Sequence, residues 1–405
     1  MQTPGTGMTD PWRMAVTAIA VAAVAVVVGL WLARPSPSPV HRAQVRMPVP
    51  VFDKSGADWP TLGGGPQHTG HAPGRLGDVL QLVWTATTSG PIRSSAAIVS
   101  DRLYIGSGDA NLYCLDLATG RRLWAFRASD GIEADITAAD DKVLFGARDG
   151  WFYALSTDGS VIWRYQTGGQ IAGAANWFTG LDGQVNIIIG SYDGCLYCLA
   201  GRNGVPIWSY KTDNYINGSP AIWSRVCVVG GCDSKVHIVS TDEGRAIGTV
   251  ESGSYIAGPV AVKDGFAYVG NYAGVLLKIA IDTGQVQWRS TFDQGPILTC
   301  PAIHQGLVLF GCRDKKVHCL RDSDGTEVWA FQALGNVDSS PVICDQKVIF
   351  GSDDGRLYML SLEDGRPLWS YQVGKPISAS PAVAYGLVVV GCEDGVIYAF
   401  GQQGH

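Results

Sequence analysis

The sequence predicts an all-β fold: an eight-bladed β-propeller of four-stranded blades, its ring closed by an N-terminal strand, with one transmembrane helix ahead of it. Three observations carry this. Tryptophans recur at a spacing of about 40 residues: Trp84, Trp124, Trp163, Trp208, Trp288, Trp329 and Trp369, with Gly248 standing where one more would fall. A period in that range marks a repeat architecture. Each unit also holds four short apolar runs bounded by turn residues, the pattern of one propeller blade. Finally, 52 glycines and 13 tryptophans beside only 16% charged residues fit a chain of many turns and many large buried side chains.

The elements of a unit come in a fixed order. A small-residue strand such as "SSAAIV" or "SSPVIC" is first, and a hydrophobic run ending in Gly, such as "RLYIG" or "KVIFG", is second. A third strand of the type "LYCLDL" or "LYMLS" precedes the Trp strand. Asp-Gly pairs at Asp149–Gly150, Asp193–Gly194, Asp354–Gly355 and Asp394–Gly395 join the second strand to the third, a strong hairpin signal. A Gly such as Gly120 or Gly365 joins the third to the fourth, where a tight turn asks for positive φ.

First strands are expected to start near Ser94, Ala134, Ala172, Gly218, Ala257, Thr299, Ser339 and Ala379, which makes eight units. The last unit stops after its third strand, while the strand around Trp84 precedes any first strand. The front strand should therefore complete the last blade and remove an exposed sheet edge. The propeller is expected over 80–402, behind a Gly/Pro-rich lead-in at 59–79 that contains "TLGGGPQHTGH" and lacks strand alternation.

Further forward the chain changes character. Met14 to Ala33 contains no charged residue. As a helix of about 20 residues it spans roughly 30 Å, one bilayer core. Trp12 and Trp31 sit near its ends, as interfacial aromatics do. The apolar run is longer than that of a cleaved signal peptide, and "LWLARPS" is a poor cleavage site, so an uncleaved signal anchor is expected. No Cys lies near it, which excludes lipid attachment there. A short tail, 1–13, precedes the anchor, and a Pro-stiffened linker, 34–58, follows. Arg34, Arg42 and Arg46 after the span against Arg13 before it favour a cytoplasmic C-terminal side. The long linker and the resemblance described below favour an extracytoplasmic propeller, so orientation stays open.

The stretch "CLDLATGRRLW" carries Asp116, Thr119, Gly120 and Trp124 in the order of a blade-docking motif, and the other units keep its Gly and Trp. On these residues, residues 58–402 resemble the pyrroloquinoline quinone-like repeat family of propellers. One branch, the quinoprotein dehydrogenases, holds quinone and calcium in the central channel, with long insertions and often an adjacent Cys-Cys pair. This chain has compact units and no Cys-Cys. It is more similar to the compact eight-bladed scaffold of the outer-membrane β-barrel assembly machinery. That resemblance implies a non-catalytic scaffold for protein partners, in envelope assembly or a related process, with no cofactor. A quinone or other small ligand in the channel is the alternative it leaves open.

Net charge is −6 without a basic run, so no nucleic-acid partner is expected. The repeated Trp reads as a packing peg, because a cofactor site is singular and this residue recurs in nearly every unit. The ten cysteines fall in repeat-equivalent slots: Cys114, Cys198 and Cys319 share one, and Cys232, Cys312 and Cys392 are assigned to another. They read as small buried residues. Cys195 and Cys198 stand three apart on a strand and point to opposite faces, which argues against a shared metal. So many unpaired thiols are unusual outside a reducing compartment, a mark against an exported propeller. His68 and His71 read as surface-loop residues, and no catalytic residues or metal ligands are assigned.

The functional expectation rests on positions where the repeats disagree. Each innermost strand is entered by Ile/Val-x-small, and the x residues should ring one mouth of the channel. Four are strongly polar and unlike one another: Arg93, Glu133, Asn217 and Asp338. These are the candidate contacts for a partner or ligand. Ala172, Ala257, Leu298 and Ser378 complete the ring.

Overall fold

Seven sheets of four strands and one of five follow one another along the chain in the computed structural model, which describes residues 56–292 and 295–402. The first blade runs outward from the channel through Ala97–Val99, Arg102–Gly106, Asn111–Asp116 and Arg122–Arg127, all paired antiparallel. The architecture is the expected eight-bladed propeller. In the last blade Ala382–Ala384, Leu387–Gly391 and Val396–Gly401 are completed by Gln81–Thr87, with Trp84 opposite Ala399. Among the described residues no helix is long and apolar enough to cross a membrane. The expected anchor, Met14 to Ala33, lies outside the described residues.

Blade-to-blade packing explains the Trp spacing. Six indole N–H groups each donate to a carbonyl at the end of the next blade's third strand, at 2.8–3.0 Å. Trp84 reaches Leu117, and Trp329 reaches Leu362. Each ring also lies on the next blade's turn glycine. Gly120, at φ 69°, faces Trp84 so closely that a methyl group there would fall 2.5 Å from the ring. The turn needs glycine for its backbone and again for the indole. The pegs are architecture.

The cores lie between blades and are built from second and third strands. Phe145, Phe152, Phe310, Phe350 and Phe400 are fully buried there. The Asp of the hairpin between these strands serves twice. Its Oδ1 accepts the N–H two residues on, and in five blades its Oδ2 accepts a Tyr hydroxyl four residues on, as Asp109 does for Asn111 and Tyr113. His237 and His318 take the place of the Tyr in blades four and six, and blade five has Ala273 in place of the Asp.

Three expectations need correction. The innermost strands begin three or four residues later than expected, at Ala97 rather than Ser94 and at Ala302 rather than Thr299. The residues before them pair between blades instead of within the sheet. Cys300, Ser340, Ser380 and Ser95 each donate a backbone N–H to the side chain at the same slot of the next blade, ending on Asp135 Oδ1 at 2.6 Å. Cys232 does not share the slot of Cys312 and Cys392. Gly231 holds it, bonding Lys235 O as Cys392 bonds Val396 O, and Cys232 stands one residue further.

The third correction concerns the lead-in. It is no surface loop. Trp59 exchanges both backbone bonds with Ile98 at 2.8 Å in blade one, and Pro60 accepts from Ala138 in blade two. Pro66, Gln67, Thr69 and Gly70 then accept the N–H groups of Ile222, Val262, Ile303 and Ile343, in blades four to seven, at 2.7–2.8 Å. Asn176 Nδ2 of blade three donates to Pro66 O. His71–Ala72 adds a fifth strand, parallel to Val342–Cys344. The segment thus satisfies the free inner edges of successive blades in order, where buried backbone groups need partners. His68 is fully buried with φ 54°, donating Nδ1–H to Val260 O at 3.1 Å. Burial lowers its pKa to about 4. His71 is half-buried and stacks on His304, ring centroids 3.9 Å apart.

Candidate functional site at the channel mouth

All eight ring positions line one cavity of about 180 Å³, together with Leu62 of the lead-in and the hydroxyls of Ser95, Ser219, Ser340 and Ser380. The four polar candidates are therefore brought to a single place. None of them stands alone. Arg93 donates Nε to Glu393 Oε1 at 3.0 Å and Nη1 to Glu133 Oε1 at 3.1 Å. Arg148 approaches the same Glu133 oxygen at 3.7 Å. Arg313 grips Asp338 through Nε and Nη2, at 2.9 and 2.7 Å. Asn217 Oδ1 accepts the hydroxyl of Tyr192 at 2.7 Å.

The partners Arg148, Tyr192, Arg313 and Glu393 escaped the sequence reading. They share one repeat position, the residue just before the hairpin Asp (Ala273 in blade five), where Gly108, Cys232, Tyr272 and Asp353 also stand. Comparing the repeats at that position would have found them, since they disagree there as strongly as in the ring itself.

The mouth is divided. Blades six, seven, eight, one and two carry the ion pairs. Blades three to five carry tyrosines: Tyr192 stacks on Tyr215 with centroids 5.3 Å apart, and Tyr215, Tyr255 and Tyr272 are 54%, 57% and 46% exposed. Tyr is enriched at protein interfaces and pairs a large apolar face with a polar tip. Asp353 is pushed above the usual carboxylate range by burial and by the neighbouring Asp338 charge. Asp135, deeper in the cavity, is likewise pushed up by burial, with the Ser95 N–H as partial compensation.

Cys312, Asp314 and His318 bring one ligand atom each within 4.8 Å of one another, the kind of grouping that can hold a metal ion. The blade itself accounts for the grouping. Asp314–His318 at 2.8 Å occupies the position of Asp109–Tyr113 and Asp354–Tyr358. The Cys312 thiol donates to Gly295 O, and burial pushes it up to about 12, so it is held as a neutral thiol. No disulfide joins any of the ten cysteines. Eight are buried, and Cys195 and Cys232 are half-buried.

Residues 81–288 and 232–405 match the family described as outer membrane protein assembly factor BamB. The chain belongs to this family. Its member from Nitrosomonas eutropha is 21% identical over 241 residues, 57% of this chain and 49% of that protein. The chain thus spans about half the length of that relative. The crystal structure of BamB from Moraxella catarrhalis superposes with a TM-score of 0.69 at 19% identity, covering 80% of this chain and all of that one. The quinohemoprotein alcohol dehydrogenase of Comamonas testosteroni gives 0.72 at 14% identity, covering 86% of this chain and 81% of that one. At such identities the two structures share a fold with this family member.

Proposed function

We propose that the protein is a non-catalytic propeller scaffold that docks a protein partner on the channel-mouth face, anchored to the membrane through Met14–Ala33, with 34–58 as the spacer. The relatives named as outer-membrane assembly factors support an extracytoplasmic propeller working in envelope assembly. One observation carries the reading: the mouth joins exposed tyrosines to an ion-paired rim above a cavity of only about 180 Å³. Pockets for cofactor-sized ligands run to roughly 300–1,000 Å³. A broad polar and aromatic rim over a small cavity suits a polypeptide surface better than an enclosed cofactor.

Arg93, Glu133, Asn217 and Asp338 supply the specific contacts in this reading. Their ion pairs are partly exposed and contribute little to stability, about 0–1 kcal/mol each. Replacing all four by Ala should therefore leave the fold intact while weakening capture of the partner. The test is crosslinking in cells from photoreactive residues placed at Tyr215 and Tyr255, with and without the fourfold change. Identical crosslinked products from both proteins would overturn the assignment. Pyrroloquinoline quinone with Ca²⁺ should leave the absorption spectrum and the melting temperature unchanged. A clear shift in either would favour the small-ligand alternative.

A further inference from the structure

One blade junction lacks its peg. Blade four carries Gly248 where the other outer strands carry Trp, and the junction it faces is built to receive an indole. At six junctions a methyl group on the turn glycine would fall 2.4–2.9 Å from a peg ring, whereas on Gly284 it would meet nothing closer than Val250 at 3.6 Å. Gly284 keeps the positive φ of its counterparts, 68°. The carbonyl that should accept the indole N–H belongs to Ile281, the counterpart of Leu117 and Thr241. Among the described residues no donor reaches it. A pocket of about 470 Å³ opens at the same junction, walled by Val226, Ile247, Phe266 and Ile281. The junction therefore keeps the glycine platform, the carbonyl acceptor and the apolar wall of an indole site without the indole.

We propose that this junction between blades four and five is a docking site for a tryptophan side chain supplied by a partner polypeptide. The other pegs state the required chemistry: a flat ring on Gly284 and an N–H directed at Ile281 O. The apolar wall continues outward to Ile247, 53% exposed, so a ring held within a chain covers more of it than a free ring does. This site lies apart from the channel mouth and does not depend on it.

The chain itself supplies the probe. A labelled peptide copying Arg122–Arg127, RLWAFR, carries a peg in its native strand context. The peptide should bind the full chain in detergent, as read by fluorescence anisotropy. The same peptide with Ala for Trp should bind at least tenfold more weakly, and one with Phe should fall between them. Gly248→Trp supplies an internal peg, since the Gly248 backbone is not left-handed and a side chain there meets only Ile238, at 3.9 Å. This variant should melt higher and lose peptide binding. Ile247→Asp, at an exposed position, should fold normally and also lose it, while the fourfold channel-mouth variant should keep it. Equal binding of the Trp and Ala peptides, no binding of the Trp peptide at millimolar concentration, or full binding by Ile247→Asp would overturn the site.

Discussion

The indole N–H of Trp84 donates to the carbonyl of Leu117 at 2.9 Å, joining a residue from the front of the propeller's chain to the first complete blade. Trp84 is itself on the strand that completes the last blade, opposite Ala399. One side chain thus links both ends of the ring, and it is only 5% exposed. Trp84→Phe should leave the ring packed but strip the Leu117 carbonyl of its donor, at a cost of about 1–3 kcal/mol. Trp84→Ala should cost more, about 3–5 kcal/mol, by adding a cavity. Urea denaturation followed by near-ultraviolet dichroism checks both. A Phe variant as destabilised as the Ala variant would show that the hydrogen bond matters more than the ring's volume.

Protonation should loosen the lead-in. His68 is neutral and fully enclosed, with its pKa lowered from 6.5 to about 4, chiefly by burial. The folded value lies below the unfolded one. Its contribution is therefore complete above pH 6.5 and is lost as pH falls toward 4, because only the unfolded chain takes up the proton in that window. At 1.4 kcal/mol per pH unit the total is about 3 kcal/mol. His71 follows the same direction, lowered to about 4 by burial and by nearby His304 and Lys263. His68→Asn keeps an amide donor for Val260 O and tolerates the left-handed backbone. The protection factors of the Ile222 and Val262 amides, which bond to the lead-in, should fall between pH 7 and 5 in the wild type once the intrinsic pH dependence of exchange is divided out. The fall should be smaller in the Asn variant.

The repeat made blade number, strand order and peg packing readable from the sequence, because each recurs at one period and each rests on local chemistry. The ring of Arg93, Glu133, Asn217 and Asp338 was readable as a place for the same reason. The path of the lead-in was not. Pro66 and Thr69 bond to strands more than a hundred residues away, and their contacts do not repeat at the blade period, so they leave no periodicity. His68 looked exposed because the glycines around it signal a loop, and only tertiary structure encloses it. Cys232 was misplaced by one residue because "GGCD" offers two alignments of the same slot, which the Gly231–Lys235 bond resolves.

Thiol reactivity should follow burial. Burial pushes Cys114, Cys198, Cys312, Cys319 and Cys392 up to about 12. Such thiols present almost no thiolate at neutral pH. Cys195 and Cys232 retain exposure. Ellman's reagent at pH 8 should label these two in the native protein and the remaining eight only after denaturation. Cys195→Ser with Cys232→Ser should leave no fast phase. A fast phase that survives the double change would place a further thiol within reach of solvent.

Asp135 tests how the cavity is charged. It ends the run of backbone donors that starts at Cys300, accepting the Ser95 N–H. Burial raises its pKa, and no cation is paired with it among the described residues. A carboxyl whose folded pKa exceeds its unfolded value penalises the fold once pH rises above the ordinary carboxylate range, because the unfolded chain releases its proton first. Below that range the penalty vanishes. Asp135→Asn keeps an oxygen for Ser95 and removes the charge. The variant should be more stable than wild type at pH 7, and the gain should shrink to nothing near pH 3, as followed by the denaturant midpoint at each pH. Equal stability at both pH values would mean that cavity water solvates the carboxylate as well as bulk water does. A variant less stable at pH 7 would mean that the negative charge is itself held favourably, with the serine hydroxyls around the cavity turned toward it as donors.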